Sequence, residues 1–144
     1  MNVEMIEFEG ALVPADPAWV SKPLRVPASR VLSANDRADR RAQSGKVAAI
    51  RRDAQLLARA SGLQRFDRAE VKIIVRFPDE KRRRDPNNYH ATTKPLMDGL
   101  VDAGMFPDDS KDFILGPDIR ASRFHAKPSL LEPMFDFITL VYPF

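Results

Sequence analysis

Residues 134–142, MFDFITLVY, decide how this chain must fold. Phe135, Phe137, Thr139 and Val141 alternate with Asp136, Ile138, Leu140 and Tyr142, so both faces of the segment are largely apolar. A strand of that kind is buried on both sides or paired in an interface. It needs neighbours, and the rest of the chain supplies them. Residues 69–77, AEVKIIVRF, alternate and are β-branched, which predicts a second strand ended by Pro78. Residues 112–124 read as a third. Residues 22–32 read as an extended segment interrupted by Pro23 and Pro27, prolines that favour an edge position. Residues 1–20 alternate weakly through Val3, Met5 and Phe8 and form a strand or arm whose docking the sequence does not settle.

Two helices separate these strands. The first is expected from Asn35 or Asp36 as N-cap to about Ser61, with Gly62 as its stop. Val47, Ile50, Ala54, Leu57 and Ser61 fall on one face as its core stripe. Arg41, Arg52 and Arg59 align on another face if the helix continues through Gly45. The second helix is expected from about Thr93 to Ala103, with Thr92 or Thr93 as cap and Pro95 in its first turn. The predicted fold class is α+β: a single domain over 1–144, with a mixed β-sheet flanked by a long helix and a short central one.

Composition narrows the function. The chain has 144 residues, 44% hydrophobic and 30% charged, and no cysteine. Disulfides, thiolate metal sites and cysteine catalysis are therefore excluded. No apolar run reaches membrane-spanning length, and the acidic Glu4, Glu7 and Glu9 do not resemble a signal peptide. His90 and His125 lack the spacing of a zinc site. No GxSxG, GxGxxG or Walker A sequence occurs, which argues against a nucleotide cofactor.

The net charge of +3 conceals an asymmetry. Residues 37–84 carry 15 basic and 6 acidic side chains, net +9, between segments of net −2 and −4. Charge concentrated in this way fits a polyanionic partner, and equally a solvated basic helix. It culminates at residues 81–112, KRRRDPNNYHATTKPLMDGLVDAGMFPDDSKD, where Lys81, Arg82, Arg83 and Arg84 abut Asp85. Lys94, Asp98 and Asp102 then recur every four residues as a polar helical stripe, opposite Leu96, Met97, Leu100, Val101 and Ala103. Such a stripe is either an ion-pair ladder or part of a site. Asp108 and Asp109 follow in a tight turn, where aspartates are common for conformational reasons alone. Carboxylates beside cations can hold a hard divalent ion together with a substrate phosphate.

These residues, in this order, resemble the RusA-type Holliday junction resolvases, especially divergent members carried by phages and prophages of actinobacteria. The resemblance rests on Arg84-Asp85 followed by Asn88, and on Lys94 with Asp98. It continues through the DGLVDAG helix end and the Asp108-Asp109 pair, with Leu32-Ser33-Ala34-Asn35 as the polar turn before the first helix. It covers about residues 22–142 and implies a cytoplasmic homodimer in a bacterial host. The implied activity is magnesium-dependent, structure-selective cutting of four-way DNA junctions by paired nicks, with manganese as a substitute ion. Asp85 matches the first catalytic aspartate, Asp109 the last and Lys94 the essential lysine. Asp85, Asn87, Asp108 and Asp109 would hold the metal. Asn35, Arg41, Arg52, Lys81, Arg82, Arg83, Arg84 and Asn88 would hold branched DNA.

Two departures stand out. Asn87 occupies the position of the family's second motif aspartate, and three extra residues precede Lys94. Asparagine adds no charge, so either Asp98 or Asp108 compensates or cleavage is weakened. The alternatives are a branched-DNA-binding protein that has lost cleavage, or a basic α+β protein that binds RNA or a protein partner.

Overall fold

The structure, a computed structural model, describes residues 3–34, 36, 40–108 and 110–144. It is a mixed α/β arrangement. In chain order the elements are β1 (Met5–Phe8), β2 (Ala11–Pro14), β3 (Trp19–Val20), β4 (Leu24–Pro27), α1 (Arg40–Ala60), β5 (Ala69–Arg76), a 3₁₀ turn (Pro86–Tyr89), α2 (His90–Asp102), β6 (Ile114–Ala121) and β7 (Met134–Pro143).

β7 is the strand on which the main sheet is built. β5 pairs with it antiparallel from Ala69↔Pro143 to Arg76↔Asp136. β3 and β4 pair antiparallel along its other side, and β6 joins β5 in parallel. The prolines flanking β4 are accommodated because that strand has a neighbour on one side only. Val71, Ile73, Val75, Phe135, Phe137 and Val141 are buried with α1 and α2 in one apolar cluster. Ile74, Ile138 and Leu140, on the opposite face, are buried with Ala11 and Val13 of the N-terminal hairpin. The two-faced apolarity of β7 is thus satisfied within one chain, by helices on one side and a hairpin on the other.

That hairpin accounts for the segment whose docking the sequence leaves open. Glu9 (φ 50°) and Gly10 (φ 78°) form a two-residue turn between β1 and β2, both with the positive φ of a type I′ hairpin. Its tip is bonded to the end of β6. Ser122 Oγ donates to Glu9 O at 2.6 Å, and Arg123 N–H donates to Gly10 O at 2.9 Å. A Cβ on Gly10 would lie 2.4 Å from Ser122 Oγ, so the close approach requires glycine. At the other end of the hairpin, Tyr142 donates its hydroxyl to Pro14 O at 2.7 Å.

α1 continues through Gly45, and Arg41, Arg52 and Arg59 are exposed as expected. Its inward stripe differs from the expected one: Ile50, Ala54 and Ala58 are buried, Leu57 is half-buried and Val47 is 37% exposed. The cause is the approach of α2, whose Gly99 would place a Cβ 2.3 Å from Arg51 O and 2.7 Å from the Ala54 Cβ. Only small side chains fit at that contact, so alanines line it. The residues between Asp36 and Arg40 lie outside the described residues, so the expected N-cap is not observed. The Asp36 carboxylate accepts from Ser33 N–H at 2.6 Å, closing a local turn. The other cap candidate, Asn35, lies outside the described residues. At the far end Gly62 (φ 79°) stops the helix, and Trp19 Nε1–H donates to its carbonyl at 2.9 Å. Among the described residues no helix is long and apolar enough to cross a membrane.

Candidate active site

The cationic run divides into an anchor and an exposed edge. Arg84 is turned inward. Its guanidinium donates to the Asp79 carbonyl at 2.8 Å and to the Asp79 carboxylate at 3.1 Å, and it lies 5.6 Å from the ring centres of both Phe77 and Phe135. Lys81 N–H and Arg84 together hold the Asp79 carboxyl below the usual carboxylate range. This placement makes Arg84 the anchor of the loop, while the residue still borders a polar recess beside it. Lys81, Arg82 and Arg83 are exposed. Arg82, Arg83 and Arg84, with Ser33, Asp36, Asn88 and Tyr89, line this polar recess of about 240 Å³.

Asp85 begins the 3₁₀ turn. Its backbone is extended (φ −91°, ψ 122°), its side chain is exposed, and the carboxylate accepts from Asn87 N–H at 2.9 Å. Pro86 occupies the first position of the turn, where its missing N–H does no harm. One Asp85 oxygen is therefore engaged locally while the group faces solvent. The side chain of Asn87 is also exposed. Asn88 N–H bonds back to Asp85 O at 3.0 Å, and Asn88 O accepts from Ala34 N–H at 2.8 Å. The Thr92 hydroxyl closes the same junction, donating to Leu32 O at 2.7 Å and accepting from Leu32 N–H at 2.8 Å. The Leu32–Ala34 turn and the Asp85 motif are thus tied to each other.

These bonds correct the expected start of the second helix. α2 begins at His90, and Thr92 and Thr93 are buried inside it rather than capping it. Pro95 lies in the helix interior, not in the first turn. The insertion at Tyr89 to Thr93 enters the 3₁₀ turn and the first helical turn, so it forms no loose loop. The buried Tyr89 ring packs 5.5 Å from both Phe77 and Phe135.

The polar stripe of α2 separates into two roles. Lys94 is exposed, with its ammonium 2.8 Å from Asp98 Oδ1. Asp102 faces α1, where Arg51 donates to it from Nε at 2.6 Å and from Nη2 at 2.8 Å. The Arg51 bond holds the Asp102 carboxyl below its ordinary range. Asp108 is exposed after the helix, and Asp109 lies outside the described residues. Among the described residues no group of three or more His, Asp or Glu side chains converges as a metal-holding set. Asp85 and Asp108 are exposed oxygen donors of the kind that fit a hard ion retaining water and phosphate ligands.

No protein-family profile matches this chain, and a search of curated proteins finds no match.

Sequence reasoning missed several residues on which this geometry depends. Asp79 clamps the loop, Tyr89 fills the aromatic cluster beneath Arg84, and Arg51 takes up Asp102. The Arg51–Asp102 pair spans 51 positions, so no local spacing could reveal it. His90 falls on the same helix face as Lys94, one turn earlier, and that spacing was visible in the sequence.

Proposed function

We propose that this chain is a magnesium-dependent, structure-selective endonuclease that nicks four-way DNA junctions as a homodimer. The observation that carries the reading is the position of Asp85: an exposed carboxylate, fixed by the Asn87 N–H, between a cationic loop and the helix that presents Lys94. Asp85, Asp108, Asp109 and the Asn87 amide oxygen would hold the ion. When bound, the ion supplies charge at the cleaved phosphate and activation of a water. Lys81, Arg82 and Arg83 neutralise backbone phosphates and hold the strand in register. Arg84 keeps their loop in place from beneath. Lys94, positioned by Asp98, donates to the charge that develops on the phosphate oxygens as the bond breaks. Arg41 and Arg52, exposed on α1, extend the phosphate track. Junction preference arises from the spacing of two such sites in the dimer.

The test is nicking of a synthetic four-way junction in magnesium, compared with plain duplex of the same sequence. The expected result is paired nicks in the junction alone. Equal binding and no nicking of either would move the chain to the class of basic RNA- or protein-binding domains. A second reading has one supporting observation: among the described residues no group of three or more His, Asp or Glu side chains gathers, at Asp85 or elsewhere. Under it the chain binds junctions and cleaves weakly or not at all, and Asn87→Asp raises the rate.

A further inference from the structure

Beside Lys94, between α2 and the beginning of β6, lies a cavity of about 230 Å³. From α2 it is lined by Thr93 and by His90, Lys94 and Met97, the last three on one stripe of the helix. From β6 it is lined by Ile114, Gly116 and Pro117. Met97 and Ile114 are buried and form an apolar floor, whereas His90 and Lys94 are exposed at the lip.

The cavity lies where β6 departs from regular pairing. Its pairing with β5 shifts register between Glu70 and Lys72. At the shift Gly116 adopts φ +103°, with the site of a Cβ only 2.6 Å from Val71 O. The bulge lets the Leu115–Pro117 segment stand away from the regular strand, and bulges of this kind re-aim side chains beside functional sites.

We infer that this cavity receives one unstacked nucleobase of the DNA strand whose phosphate Lys94 engages. The inference rests on the nuclease reading and names the part of the substrate that the site grips. The volume lies below the roughly 300 Å³ at which pockets begin to enclose drug-sized molecules, so it suits a single ring system. Its polarity matches a nucleotide: an apolar floor for the planar base and a cation at the lip for the attached phosphate. The Met97 thioether is suited to contact with an aromatic ring, and Pro117 offers a flat apolar surface. His90 supplies a ring nitrogen that can bond to the base edge. A base at a branch point is already partly unpaired, so its extrusion costs least there. Lys94 thereby links phosphate contact to base capture, and the protein selects branched DNA without a recognition helix.

The experiment uses the full chain labelled with ¹³C at its methionine methyl groups, without added metal. The Met97 signal is identified by Met97→Leu, a volume-conserving change. The probes are a thymidine tetranucleotide and, separately, inorganic phosphate. The tetranucleotide is expected to shift the Met97 methyl while Met105 and Met134 stay in place, and phosphate is expected to leave Met97 unmoved. His90→Ala should weaken that response at least fivefold with the fold intact. An unmoved Met97 at saturating tetranucleotide, no tetranucleotide binding, or an equal response to phosphate would each overturn the inference. The outcomes separate from those for cleavage. A junction cut in magnesium with Met97 unmoved removes the base pocket and leaves the nuclease. A shifted Met97 with no cutting keeps a nucleotide site and removes the nuclease.

Discussion

Arg51 of α1 grips Asp102 of α2 through two bonds, Nε to Oδ2 at 2.6 Å and Nη2 to Oδ1 at 2.8 Å. Asp102 is the last residue of its helix, where a negative charge is otherwise unfavourable. The guanidinium offsets that cost and ties the end of α2 to α1. Because both side chains remain partly exposed, solvent screens the pair. A double-mutant cycle of Arg51→Ala and Asp102→Asn should give a coupling of about 1 kcal/mol near neutral pH, read from urea unfolding. The sign of the pH dependence follows from the lowered pKa of Asp102. Its contribution is present above the unfolded value, about 3.9, and is lost as pH falls through the lower folded value. The coupling should therefore vanish in strong acid and stay constant above about pH 5.

The α1–α2 crossing makes two glycines behave in opposite ways. A Cβ at Gly99 would meet Arg51 O at 2.3 Å and Gln55 N at 3.0 Å, so backbone must move. Gly99→Ala should destabilise by about 2–3 kcal/mol even though alanine is the better helix former. At Gly45 nothing lies within 4 Å. Gly45→Ala should stabilise by up to about 1 kcal/mol. Thermal unfolding of the two variants checks both signs at once.

Arg83 and Arg84 are neighbours in sequence but should fail in different assays. Arg84 has only 9% of its side chain exposed and is set against Phe77, Phe135 and Asp79. Arg84→Ala should cost about 2 kcal/mol of stability, and Arg84→Lys should not restore it, because an ammonium lacks the planar fork. Arg83 is exposed. Arg83→Ala should change stability by less than about 0.5 kcal/mol while lowering the salt dependence of junction binding by about 0.9 in log–log slope. A change in Arg83→Ala stability with unaltered salt dependence would place Arg83 in the fold and not on DNA.

How far the sequence could be read depended on the range of each interaction. β5 and β7 announce themselves through alternation over eight or more residues, and α1 through a long apolar stripe and Gly62. The β1–β2 hairpin was not legible as a layer of the fold, because its two four-residue strands matter only through Ile74, Ile138 and Leu140 far along the chain. The start of α2 was misplaced because Asp-Pro-Asn-Asn reads as loop, while the 3₁₀ turn it forms runs directly into the helix. Within the candidate site, residue type and order marked Asp85 and Lys94 as exposed polar groups. They could not show that Arg84 turns inward or that Asp102 belongs to Arg51, since both depend on partners set by tertiary packing. Asn35 and Asp109 lie outside the described residues, so their expected roles rest on the sequence.

The central claim is that the charge of Asp85 serves chemistry rather than folding. Asn caps a helical turn about as well as Asp, so Asp85→Asn keeps the bond to Asn87 N–H and the local fold. The measurement is the rate at which wild type and Asp85→Asn nick a synthetic four-way junction in magnesium, with junction binding followed in parallel. Asp85→Asn should lose about a hundredfold or more in nicking with binding retained. Equal nicking rates for the two proteins would contradict that claim.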